Sequence, residues 1–126
     1  MISLFLSVCL AGQPCKEERV ADFYTVMAQQ MCSTNKFGMQ TAARNEKRDG
    51  TFECRTDAKP ASNAVTAKLN FDLTAVNGQK EILELARFYG KGGQPLCGKN
   101  ADHFRADLLQ AAAETKATAK LDCVAE

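Results

Sequence analysis

"FYTVMAQQMC", residues 23–32, and "FYGKGGQPLC", residues 88–97, place the chain's two tyrosines at the same point of one short pattern. A displacement of 65 residues lays Phe23, Tyr24, Gln29, Met31 and Cys32 on Phe88, Tyr89, Gln94, Leu96 and Cys97. Upstream, Leu4, Leu6, Val8 and Leu10 fall on Leu69, Phe71, Leu73 and Ala75, which preserves an alternating pattern. Downstream, after a small insertion, Gln40, Ala42, Ala43, Phe52, Glu53 and Cys54 answer to Gln110, Ala112, Ala113, Leu121, Asp122 and Cys123. Similarity at a fixed offset predicts a tandem duplication. The units are read as residues 1–58 and 64–126, with "KPASN" at 59–63 as a joint rich in turn formers.

Each unit reads in the same order. "ISLFLSVCL" and "TAKLNFDLTAV" alternate with period two and are expected to be strands with one face inward. "EERVADFYTVMAQQM" sets Val20, Phe23, Tyr24, Met27 and Met31 at helical spacing, and "QKEILELARFY" does the same with Ile82, Leu83, Leu85, Ala86 and Tyr89. Second helices are expected near 37–46 and 102–115, and closing strands in "TFECR" and "ATAKLDCV". The expected fold class is α+β: duplicated β-α-α-β units sharing a four-stranded sheet, disulfide-stabilised, with pseudo-twofold symmetry. A unit of this size has little interior of its own, so sharing one sheet is preferred over two independent beads.

The repeat also orders the cysteines. Cys32 corresponds to Cys97 and Cys54 to Cys123, so the equivalent bridges are Cys32–Cys54 and Cys97–Cys123. Cys9 and Cys15 have no counterparts in the second unit and are expected to pair with each other. Six cysteines in 126 residues suit an oxidising compartment. A cytoplasmic protein with buried thiols is the alternative. No C-x-x-C motif supports redox work, and the single histidine, His103, has no pair of well-spaced thiols near it to suggest zinc. No cofactor and no metal are expected.

"MISLFLSVCLAG" is apolar like the core of a signal peptide but lacks the basic residues that precede one. Met1 is therefore read as a start placed on a mature, periplasmic or secreted domain whose signal has been removed. The stretch is too short to span a bilayer. Sixteen basic and fifteen acidic residues, without a block of either sign, give no reason to expect nucleic acid as partner.

"VCLAGQPCKEERV", followed by a mid-chain cysteine and a closing "FEC", resembles a family of short exported proteobacterial domains of unknown function. Their pattern reads V-C-L, C-[RK]-E-E, a mid-chain Cys and a final aromatic-x-Cys. The likeness covers Val8 to Cys54 and implies export and disulfides, with no activity attached. The family's tryptophans around the closing strand have no equivalent in this chain, which contains none.

Candidate chemistry is sparse. His103 could act as a general base but has no nucleophile paired with it. "YGKGGQPLCGK", with Lys91, could form an anion nest, although a flexible connection after a helix is the preferred reading. Tyr24 and Tyr89 could stack on a ligand, against core packing. No catalytic residue is named. The expected function is that of a non-enzymatic exported component that binds protein in an envelope or appendage assembly, with oligomers or larger assemblies open. A periplasmic immunity or inhibitor protein and a small-ligand carrier are the alternatives.

Overall fold

The computed structural model describes residues 1–61 and 63–126. Two compact units divide the chain at Met1–Ala64 and Val65–Glu126. The first contains strands β1 (Ile2–Val8) and β2 (Lys16–Phe23), helix α1 (Ala28–Asn45) and strand β3 (Thr51–Arg55). The second contains β4 (Val65–Thr74), β5 (Lys80–Tyr89), α2 (Gly93–Glu114) and β6 (Thr118–Ala125). The order in each is therefore β-β-α-β. All strand pairs within the units are antiparallel, with β1 between β3 and β2, and β4 between β6 and β5. The fold class is α+β with three disulfides.

This order corrects the expected β-α-α-β unit. The described residues form two helices rather than four, and six strands, not the four of the expected sheet. "EERVADF" and "KEILELARFY" are strands, and the helical spacing read in them has a specific cause. The pairing Leu4↔Ala21 is followed by Phe5↔Arg19, which leaves Val20 as the extra residue of a β-bulge. The second unit repeats this, with Leu69↔Ala86 followed by Asn70↔Glu84 and Leu85 extra. An inserted residue breaks the two-residue alternation and puts positions i and i+3 on one face, which imitates a helix.

The second helices expected at 37–46 and 102–115 are the later parts of α1 and α2. Each helix follows an αL residue, Thr25 at φ 70° and Gly90 at φ 73°, with Ala28 N–H donating to Thr25 O and Gly93 N–H to Gly90 O. Each also ends in the same way. Arg48 N–H donates to Ala43 O and Lys47 N–H to Arg44 O; Ala117 N–H donates to Ala112 O and Lys116 N–H to Ala113 O. These are Schellman caps, with Lys47 and Lys116 in the left-handed conformation that glycine usually supplies.

In the first unit Leu4, Ala21, Phe23 and Phe52 from the sheet share the buried core with Met31 and Cys32 of α1. In the second, Ala67, Leu69, Phe71, Ala86 and Phe88 meet Cys97, Phe104 and Leu108. A bridge pins helix to closing strand in each: Cys32–Cys54 with Cα atoms 6.2 Å apart, and Cys97–Cys123 at 6.0 Å. The third, Cys9–Cys15, closes the β1–β2 hairpin. All three expected pairings are present, and no cysteine is free. Among the described residues no helix is long and apolar enough to cross a membrane.

Candidate recognition surface

The hairpin tips combine exposure with a fixed backbone. After β1 the chain turns through Leu10–Gln13, where Gln13 N–H donates to Leu10 O at 3.1 Å and Gly12 takes φ 77°. A type II turn needs this conformation at its third residue, and glycine adopts it without a Cβ clash. Cys9–Cys15 closes the turn from outside, and Leu10 stands 49% exposed at its start.

The β4–β5 tip is built without a disulfide. Ala75 N–H donates to Gln79 O at 2.8 Å and Gly78 N–H to Ala75 O at 2.9 Å, while Asn77 Oδ1 accepts from Gln79 N–H. Gly78 at φ 87° completes a three-residue hairpin loop with its bulge. Val76, 76% exposed, stands at this tip. Two different devices thus hold an aliphatic side chain outward on a short, ordered turn.

The sheet face of the first unit that points away from α1 carries a polar network. Asp22 Oδ1 accepts from Ser3 Oγ at 2.6 Å and from Arg19 Nε at 2.8 Å, and Arg19 Nη2 also donates to Ser3 Oγ. Arg19 Nη1 donates to the Lys59 carbonyl, and Arg19 and Asp22 are both buried. Arg19 and Arg55 place guanidinium carbons 5.5 and 4.4 Å from the Phe5 ring centre. Arg55 also holds Glu17 and Glu53. Its hydrogen bonds to Glu17 are the first cause of a Glu17 carboxyl held below its ordinary range and a guanidinium raised above its own, against a smaller opposing effect of burial. Both guanidinium groups at Phe5 are thus engaged by carboxylates of the chain.

The residues singled out from sequence are scattered. Tyr24 is half-buried just past β2, and Tyr89 is buried at the end of β5. Phe23 and Phe88 beside them are fully buried, so the repeated Phe-Tyr pairs lie against the core. Lys91 is exposed in the turn before α2. His103 does not begin a helix; it is exposed ten residues into α2, edge-on to Phe104, and the neighbouring Asp102 carboxylate is held by Arg105 at 2.8 Å. The glycine-rich stretch is not a flexible connection either. A Cβ on Gly93 would lie 1.9 Å from Thr66 Oγ1, which donates to Gly90 O, so Gly93 lets α2 start hard against β4.

Leu10 and Val76 were not singled out by sequence reasoning. The signal for Val76 was the Asn77-Gly78 dipeptide between two strand-like runs, a strong hairpin mark. Among the described residues no His, Cys, Asp or Glu side chains gather as metal ligands would. Comparison with protein-family models, curated proteins and solved structures finds no match to this chain.

Proposed function

We propose that the protein is an exported, disulfide-stapled recognition component of an envelope or appendage assembly, which holds a protein partner on its ordered hairpin tips. The observation that carries the reading is the exposed Leu10 on a turn closed by Cys9–Cys15, with Val76 in the same role on the second hairpin. Binding loses less conformational entropy when the contacting loop is already ordered, and an exposed aliphatic side chain gains most from being covered. Three disulfides support passage through an oxidising compartment.

Internal duplication belongs to the same reading. Its support is a set of features 65 residues apart: the bulge residues Val20 and Leu85, the αL residues Thr25 and Gly90, the helix starts Ala28 and Gly93, and Cys32 with Cys97. Two like units give a partner two like tips.

The short turn closed by Cys9–Cys15 favours a second reading, an inhibitor or immunity protein whose tip enters the cleft of a toxic enzyme. Affinity isolation of the native protein from its source envelope separates the two. A structural partner lost on Leu10→Asp supports the assembly reading, a tight one-to-one complex with an enzyme supports the inhibitor, and recovery only as a free monomer contradicts both.

A further inference from the structure

Among the described residues strand β6 is paired on one side only, by β4. The direction of its remaining backbone groups follows from one bond. Glu126 N–H donates to Thr66 O, which continues the register Ala125↔Ala67 through Thr118↔Thr74. In an antiparallel ladder, hydrogen-bonded pairs alternate with non-bonded ones. The even-numbered residues Thr118, Lys120, Asp122 and Val124 therefore spend their backbone groups on β4, while Ala119, Leu121 and Cys123 direct N–H and C=O away from it. Among the described residues no side chain bonds to the outward groups of Leu121.

The first unit treats its matching edge differently. Phe52, the residue of β3 that corresponds to Leu121, donates its N–H to Gln40 Oε1 at 3.0 Å, and Gln40 Nε2 donates to Gly50 O. A helix side chain occupies that edge. On β6 the edge is open and the strand is longer, eight residues against five.

The sequence of β6 is complementary to itself about Leu121. In an antiparallel pair centred there, Leu121 faces Leu121 of the second copy and Ala119 faces Cys123, and these pairs exchange about six backbone hydrogen bonds. Lys120 then lies opposite Asp122 of the other copy, twice over, and Thr118 opposite Val124. These are the non-bonded pairs, in which side chains come closest. Lys120, 75% exposed, and Asp122 share a face and pair with each other at 3.3 Å within the strand, so the dimer would exchange this bridge in each copy for two across the seam. Edge strands commonly carry charge to prevent such pairing, but here the charges match rather than repel. We infer that the protein forms a homodimer through antiparallel pairing of β6 with β6 of a second copy, in the register that sets Lys120 against Asp122. This surface is separate from the hairpin tips and does not depend on them.

Sedimentation of the full oxidised chain across the micromolar range tests it. A concentration-dependent dimer is expected. Lys120→Asp and Asp122→Lys each set like charges opposite one another and weaken self-association by about tenfold or more. An equimolar mixture of the two variants pairs an acidic strand with a basic one and dimerises again. Non-reducing peptide maps with all three bridges intact verify that each variant is folded. A wild type that stays monomeric, a dimer indifferent to both changes, or a mixture no tighter than its components would overturn the pairing.

Discussion

Asn35 and Asn100 make the same hydrogen bond in the two units: Asn35 Nδ2 donates to Met31 O at 2.7 Å and Asn100 Nδ2 to Leu96 O at 2.9 Å. Each lies three residues beyond the bridged cysteine of its helix, and each is buried. Buried amides need partners, and here each turns back on its own helix. Asn35→Ala and Asn100→Ala, which remove the buried polar group as well as the bond, should each lower stability by about 1 kcal/mol. Unequal losses in urea unfolding, one near zero and one large, would speak against equivalent roles.

The two long bridges are expected to dominate stability. Loop closure across separations of 22 and 26 residues is worth about 3 to 4 kcal/mol each, and across the six of Cys9–Cys15 about 2. Paired Cys→Ala variants at 32/54 and 97/123 should therefore shift the denaturant midpoint more than the pair at 9/15. The reverse ranking would mean that these bridges do not act through the unfolded chain.

Asp22 neutralises Arg19 in a setting where both are buried. Asp22→Asn removes the carboxylate that pairs with the buried guanidinium and should cost about 3 to 5 kcal/mol, whereas replacing both residues with Met and Leu should recover much of the loss. Equilibrium unfolding of the two variants decides this, and a loss under about 1 kcal/mol for Asp22→Asn would mean that water reaches the site.

Glu17 gives a pH dependence with a defined sign. Arg55 lowers the carboxyl below its ordinary value of 4.5 in the folded state, so the stability it adds is present above that value and is lost as pH falls through the lowered one. The difference in midpoint between wild type and Glu17→Gln should be flat near neutrality and shrink only in acid below the usual glutamate range. A difference that changes between pH 6 and 8 would assign the effect to another group.

Lys47 and Lys116 occupy left-handed positions at φ 55° and 58°. Replacing each with glycine should stabilise by up to about 1 kcal/mol, because a Cβ is strained there. Thermal unfolding provides the check: a lower melting temperature for both variants would show that the lysine side chains contribute more than the backbone strain removes.

The sequence made the disulfides legible because correspondence between copies needs no knowledge of the elements in between. Cys32–Cys54 and Cys97–Cys123 followed from matched positions alone, and Cys9–Cys15 remained. The opening and closing strands were legible because β1, β4, β3 and β6 keep strict register with their neighbours over most of their length. Strands β2 and β5 were not, because Val20 and Leu85 interrupt the alternation at the point where it would be recognised. That single displacement changed the reading from strand to helix and hid the hairpins whose tips carry Leu10 and Val76. The buried Arg19–Asp22 pair was hidden for the same reason, since only the bulge brings these positions onto one face.

The central claim, recognition through the tips, is tested most directly by comparative affinity isolation from the native envelope. The wild-type protein, Leu10→Asp, Val76→Asp and the double variant would be recovered side by side at physiological salt, each verified by an intact three-bridge peptide map. The expected result is a defined protein partner with the wild type, reduced recovery with either single change and little or none with both. Equal recovery of that partner by the double variant, or a wild type that returns alone, would contradict the account.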